Sequence, residues 1–239
     1  MPLAPTLIGR NERLLDNPIW NALGSKHARF AESTPLARRY PAAVTPLAGI
    51  PTQSPEAYGA LARLLGPKGG AGVFADEPIA PTPPLAIVRA APLAQMICTA
   101  LRPSHRHTNP DIVPLNASAV PAMMELTALT DPGPFGPRTY ELGIYLGVFR
   151  SGQLVAMAGE RLRCEGFAEV SAVCTHPDHQ GHGYASALVT AIVAGMVARG
   201  EICFLHVRVD NTAAIRVYER LGFTTRRVLN FAVLQASAQ

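Results

Sequence analysis

The chain of 239 residues has no uninterrupted apolar run of the roughly 18 residues that a membrane-crossing helix needs. The longest candidate, after Gly183, is broken by Ser186, Thr190 and Gly195, so no membrane partner is expected. The first residues, MPLAPTLIGRNERLLD, lack the basic start and continuous apolar core of a secretory signal, and cytoplasmic residence is the expectation. Cysteine is scarce. Cys98, Cys164, Cys174 and Cys203 form no CxxC pair, and three of them sit in apolar strand-like runs, which predicts reduced, buried thiols rather than disulfides or zinc ligands. Aromatic residues make up 6% of the chain, with a single tryptophan and no Lys/Arg cluster interleaved with aromatics, so no nucleic-acid partner is expected.

What is present is apolar. A hydrophobic fraction of 48% excludes global disorder and implies a sizeable core. A net charge of +4 suits an anionic small ligand without naming one. Residues 1–105 carry much of the proline and glycine. NPIWNAL (17–23) and SPEAYGALARLL (54–65) read as helices, with a cap followed by proline at the first turn. AAVTPLAGI (42–50), GVFA (72–75) and LAIVRA (85–90) read as short strands. GPKGGAG (66–72) lacks the GK[ST] of a phosphate loop and enters a strand, so it reads as a turn. LRPSHRHTNPD (101–111) is polar and aperiodic, which predicts a linker between domains 1–105 and 106–239, with His105 and His107 solvated. A two-layer single domain is the alternative.

From Asp111 the pattern sharpens. IVPL is a strand and NASAVPAMMELTALT (116–130) a helix. Two β-rich runs flank Ser151-Gly152, which predicts a hairpin. FAEVSAVC (167–174), a helix from Gly183 to Arg199, ICFLHVRV (202–209), the helix TAAIRVYERL and FAVL (231–234) complete an α+β, mixed α/β layer, with a locally parallel crossover over 167–209.

That crossover contains THPDHQGHGYASAL, which starts at Thr175. Glycines at 181 and 183 permit positive φ and a close ligand approach, and the first N–H groups of the helix lack intrahelical acceptors. With the helix dipole, this predicts a phosphate cradle over Gln180–Ala185. The rival reading is a metal site built from His176, His179 and His182. It needs a curled backbone that Pro177 and the two glycines prevent, so no metal is expected.

Gln180-Gly181-His182-Gly183-Tyr184-Ala185 resembles the Q/R-x-x-G-x-G/A motif of the GNAT superfamily of acyl-CoA-dependent N-acyltransferases. DNTAAIRVYERLGF resembles the family's second signature, N-x-x-A-x-x-x-Y-x-x-x-G-F, and the match extends over about 111–235. The resemblance is nearest the subgroup that includes glycine N-acyltransferase-like domains. It implies a mostly antiparallel GNAT-like sheet flanked by helices, with residues 1–105 as a degenerate GNAT-like partner domain. It also implies transfer of an acetyl or short acyl group from acetyl-CoA to a primary amine, on a small molecule or a peptide, within a ternary complex. A non-catalytic acyl-CoA sensor or subunit is the alternative.

The resemblance assigns the pyrophosphate to the backbone of Gln180, Gly181, His182, Gly183, Tyr184 and Ala185. It assigns the pantetheine to Val173, Cys174 and Thr175, with a Val173 or Cys174 N–H polarising the thioester carbonyl. Asn211 matches a pantetheine contact, and Tyr218 matches the acid that protonates the leaving thiolate. Family members commonly carry Arg or Lys where this chain has Gln180 and His182; Arg216, Arg226 or Arg227 are the substitute cations for the 3′-phosphate.

Several side chains keep two readings. Tyr218 is either the thiolate's proton donor or a packing tyrosine. Glu169, costly in an apolar strand unless paired or functional, is either a general base or an ion-paired residue. Glu160 is a second carboxylate facing the acceptor or a partner of Arg161 or Arg163. His206 is a satisfied cleft histidine or a base. Phe135 and Tyr140 shape the acceptor pocket or anchor a loop.

Overall fold

The computed structural model describes residues 11–102 and 110–237; the histidines at 105 and 107 lie outside that range, as does most of the expected linker. Among the described residues no helix is long and apolar enough to cross a membrane.

Local sequence sets most elements directly. Strands β1 (Glu32–Thr34), β2 (Ala37–Arg39) and β3 (Ala48–Gly49) form a small antiparallel sheet behind helix α1 (Pro18–Leu23). The expected strand over 42–50 shrinks to β3, because Val44 and Thr45 turn back onto the Pro41 carbonyl. Helix α2 (Pro55–Leu65) starts where Ser54 Oγ accepts from Ala57 N at 3.3 Å and stops at Gly66, φ 73°. Strands β4 (Gly70–Ala75) and β5 (Leu85–Cys98) follow, then β6 (Ile112–Leu115) and helix α3 (Val120–Thr130).

Strands β7 (Tyr145–Arg150) and β8 (Gln153–Cys164) are joined by Ser151 and Gly152, with φ of 48° and 82°, a two-residue turn whose positive dihedrals match strand twist. Strand β9 (Phe167–Thr175), helix α4 (Tyr184–Ala198), strand β10 (Ile202–Arg208), helix α5 (Thr212–Arg220) and strand β11 (Phe223–Ala236) complete the chain. The last strand starts eight residues before the FAVL run, since TTRRV continues the ladder to β5.

Among the described residues the large sheet has eight strands in the order β4-β11-β5-β10-β9-β8-β7-β6, antiparallel except between β9 and β10. The expected boundary near residue 105 falls between two strands of this sheet, β5 and β6. β4 and β5 precede it, yet they flank β11, and β5 lies between β11 and β10 with ladders on both edges. Hydrogen bonds between strands, which no composition shift reports, make residues on both sides of the boundary one sheet.

Alternation of side chains assigns the faces. Cys203, Leu205 and Val207 pack with α4 residues such as Leu188 and Ile192, whereas Phe204 packs with Ile19 and Leu23 of α1. Ala156 and Ala158 join the α4 side, and Met157 packs with Met123 and Leu126 of α3. Helices α4 and α5 therefore cover one face, α1 and α3 the other.

Candidate active site

Among the described residues, the only parallel pair in the large sheet is also the one that separates. β9 and β10 are in register for three residue pairs, Ile202–Phe167, Cys203–Ala168 and Phe204–Glu169. Beyond them β9 follows β8 as far as Thr175, and β10 follows β5 as far as Arg208. The gap between is V-shaped, and main-chain groups that would have bonded across it face open space. Within this stretch Ala172 has φ 52°, and the β8–β9 register slips between Met157 and Gly159. An extra residue there bends β9 away and re-aims Val173.

Two cavities meet in the V. The larger, about 1170 Å³, lies on the α4/α5 side and is lined by Gln180, Gly181, Gly183, Tyr184, Ala185, Arg102 and Arg220, among others. The smaller, about 550 Å³, lies toward the α1/α3 side, against Phe74, Leu93, Phe231 and the segment after α3. Val173, Cys174, Thr175, Gln180, Ala214 and Tyr218 border both. The structure thus brings together nearly all the residues singled out over 173–185, together with Tyr218.

The cradle follows from its loop. Gly181 and Gly183 have φ of 80° and 77°, and Gly183 occupies the N-cap of α4 with no side chain to satisfy the first-turn N–H groups. A Cβ at Gly181 would meet nothing within 4 Å, so dihedral preference rather than crowding selects glycine there. His176 N donates to Val155 O at 2.7 Å, tying the loop to β8. His182 Nδ1 lies 3.1 and 3.0 Å from the carbonyls of His179 and Gln180, so it carries a proton and donates. His176 Nδ1 instead accepts from Asp178 N at 3.2 Å. The three rings run edge to edge (centroids 5.7 and 6.4 Å), and among the described residues no group of three metal-binding side chains converges.

Tyr218 is buried against Phe223, and burial, with Cys174 nearby, pushes its hydroxyl up to about 12. It stays protonated at neutral pH. Burial likewise raises the Cys174 thiol to about 11, against weaker opposing contacts from Thr130 and the Met157 main chain, so a thiolate nucleophile has no support there. Asn211 caps α5, its Oδ1 accepting from Ala214 N at 3.1 Å, and borders the smaller cavity.

Glu169 does not sit as a free base. It is fully buried, and Arg161 binds it at two points, Nε to Oε2 at 2.9 Å and Nη2 to Oε1 at 2.7 Å. Burial alone would raise its pKa. The Arg161 charge and hydrogen bonds, with His206, outweigh that and hold the carboxyl down to about 2. A carboxylate so stabilised has little affinity for a proton, which favours the ion-paired reading of Glu169 over the general base.

His206 belongs to the same network. Gln95 Oε1 accepts from Arg226 and its Nε2 donates to Leu15 O, so the second Nε2 proton, 3.1 Å from His206 Nε2, makes that ring nitrogen an acceptor. Nδ1 therefore carries the proton toward Glu169 Oε1 at 2.7 Å. The histidine side chain is 1% exposed and stacks on Phe74, a satisfied wall residue.

Other expectations move. Glu160 pairs with Arg199 at 2.6 Å, not with either neighbouring arginine. Phe135 packs edge-on against Tyr145, as a loop anchor. Arg226 and Arg227 bind Asp16 and, respectively, Glu12 and Asp76, on the sheet's other side, so neither reaches the cradle. Sequence reading missed the cations that do line the larger cavity, Arg102 and Arg220, because only the fold brings residue 102 beside α5.

The FR47-like protein family matches residues 145–232. A solved GNAT-family structure from Novosphingobium aromaticivorans is 41% identical, with 94% of this chain and 99% of that one covered and a TM-score of 0.86. The chain belongs to the GNAT family. A GCN5-related N-acetyltransferase from Kribbella flavida, at 17% identity and TM-score 0.61 over 97% of both chains, shares the fold of this GNAT protein. The mycothiol acetyltransferase of Streptomyces avermitilis is 38% identical over 78 residues; the GNAT chain spans about a quarter of that relative's length (25%).

Proposed function

We propose that the protein is an acyl-CoA-dependent N-acyltransferase that transfers an acetyl or short acyl group to a primary amine of a small molecule or peptide. The observation that carries this reading is the meeting of two cavities at Val173, Cys174, Thr175 and Tyr218, one ending on a glycine-bearing helix N-terminus. A tunnel open from both faces admits two substrates at once, which suits direct transfer and supplies the proximity it needs.

The residues fit acetyl-CoA as co-substrate; when bound it supplies the activated acyl group. The main-chain N–H groups of the loop and first turn of α4, from Gln180 to Ala185, hold the pyrophosphate, with Arg102 and Arg220 offering charge to the remaining phosphate. Main-chain groups of residues 173–175, released from the β10 ladder, bond the pantetheine amides, and a Val173 or Cys174 N–H polarises the thioester carbonyl. The acceptor nitrogen enters from the smaller cavity as the neutral amine. Its bond to the acyl carbon forms as the carbon–sulfur bond breaks, one amine proton passes to solvent, and the Tyr218 hydroxyl protonates the departing sulfur. The likeness to glycine N-acyltransferase-like domains is one of sequence over about 111–235 and extends to no particular acceptor.

Calorimetric titration with acetyl-CoA, on the protein and on Gly183→Asp, tests the reading. That substitution places a carboxylate and a Cβ at φ 77°, facing the pyrophosphate. Binding lost in the variant, together with amine-dependent thiol release by the parent, is the expected result. Binding without release for any amine would favour a non-catalytic acyl-CoA sensor, and no binding would sink both readings.

A further inference from the structure

Two of the four charged side chains that line the acceptor-side cavity are neutralised within the protein. Arg161 is paired with Glu169, and Arg208 with Asp210 at 2.6 Å. Arg89 lines the same cavity and has no ion-pair or hydrogen-bond partner among the described residues. The Asp131 carboxylate, also unpartnered there, lies at the opposite end, next to Thr130, whose side chain reaches Cys174.

The position of Arg89 is fixed by register. Leu93, Ala91 and Arg89 border the cavity at alternate positions of β5 and so share one face. β10 ends at Arg208, opposite Leu93, which leaves this part of β5 unpaired on that edge. Beside Ala91 lies Phe231, and beside Phe231 lies Phe74, an apolar row across the floor. Counting from the Phe204–Glu169 pair, Val173 stands near the level of Arg208 and Leu93. Arg89 is four residues further, about 13 Å along the strand, and two strands over, at least about 10 Å to the side because β9 and β10 have separated here.

The geometry points to an acceptor of defined length: a primary amine joined through an apolar segment to an anionic group, carboxylate or phosphate, seated on Arg89. This rests on the amine-acylation reading above. An anion on the carbon next to the nitrogen is too close to reach the guanidinium while the nitrogen reaches the thioester. Arg89 offers the planar fork that matches either oxyanion, and Phe74, Phe231 and Leu93 cover the intervening chain. Asp131 draws the cationic amine toward the reacting end before it is deprotonated.

The test is thiol release from acetyl-CoA by the full chain with straight-chain ω-amino acids, from glycine to aminooctanoate, each beside the alkylamine of equal length. Aminoalkyl phosphates of the same lengths form a third arm. The ratio of kcat/KM for anionic over plain amine is expected to stay near one for the shortest pair and to rise to roughly tenfold for the long ones, as a charge-assisted contact supplies. Arg89→Gln should return the ratio toward one through KM, and Arg89→Lys should restore part of it. A stronger, Arg89-dependent preference for the phosphates identifies that source of the anion. Alkylamines turned over with no anionic preference, or a preference untouched in Arg89→Gln, would overturn the proposal and leave the acylation reading intact. Acetyl-CoA bound with no release for any amine would overturn both.

Discussion

Arg161 and Glu169 form a two-point ion pair across adjacent strands, with the glutamate side chain fully buried and the arginine 11% exposed. Removing one partner of such a pair strands the other charge in a medium that cannot solvate it, at a typical cost of about 3–5 kcal/mol. Glu169→Gln should therefore lower the melting temperature markedly. The pH dependence carries a sign. Glu169 is held at about 2 against an unperturbed value of 4.5, so its stabilising contribution is present above the unfolded value and is lost as pH falls toward 2. Thermal melts between pH 5 and pH 2 should show the parent losing more stability than Glu169→Gln. Parallel losses would mean that the pair does not titrate as the geometry requires. If the carboxylate were instead the catalytic base, the variant's activity would lose its acid limb near neutral pH; the expectation is an unchanged profile above pH 6.

Tyr218 tests the chemistry. Its hydroxyl is buried where both cavities meet and is protonated at neutral pH. As a general acid it contributes to kcat and not to the affinity for acetyl-CoA. Tyr218→Phe is expected to lower kcat by roughly a hundredfold, the low end of the usual range for general acid catalysis, with acetyl-CoA binding by calorimetry little changed. A variant with parental kcat would reduce Tyr218 to a packing residue between α5 and Phe223.

The cradle and the two flanking strands were readable because their signals are local. Glycine at a positive φ, a helix start without a side-chain cap and an apolar run each act within a few residues. Glu169 was read as either base or ion pair because the deciding facts are Arg161 on β8 and His206 on β10, both set by register. The same reason hid Arg102, Arg220 and Arg89: a lone arginine has no sequence signal for the cavity it will line. The boundary expected near residue 105 meets the same limit. A polar, proline-bearing segment marks a connection, but only strand pairing tells whether it joins two domains or two strands of one sheet.

Asn211 separates a capping role from a coenzyme contact. Its Oδ1 takes the Ala214 N–H, and alanine at an N-cap typically costs about 1 kcal/mol. Aspartate presents the same acceptor. Asn211→Ala should lower the melting temperature while Asn211→Asp preserves it, and both should bind acetyl-CoA much as the parent does, because the residue borders the smaller cavity and not the larger one. Weakened acetyl-CoA binding in the aspartate variant, which lacks the Nδ2 donors, would instead assign Asn211 to the pantetheine arm.

Truncation asks what the first part of the chain is for. Removing residues 1–105 deletes β5, which pairs with β11 over thirteen positions from Phe223–Cys98 to Ala236–Leu85 and with β10 over six. It also deletes Gln95, the donor that fixes the His206 ring, and Leu15 and Ile19, which cover the face bearing Phe204 and Phe167. The remainder would hold an open edge on β10 and an uncovered apolar face, the combination that drives edge-to-edge association. The expected outcome is an insoluble or aggregated product with no acetyl-CoA binding by calorimetry. A soluble, monomeric fragment that binds acetyl-CoA would show that the GNAT half folds alone and that β4 and β5 are added to a complete sheet.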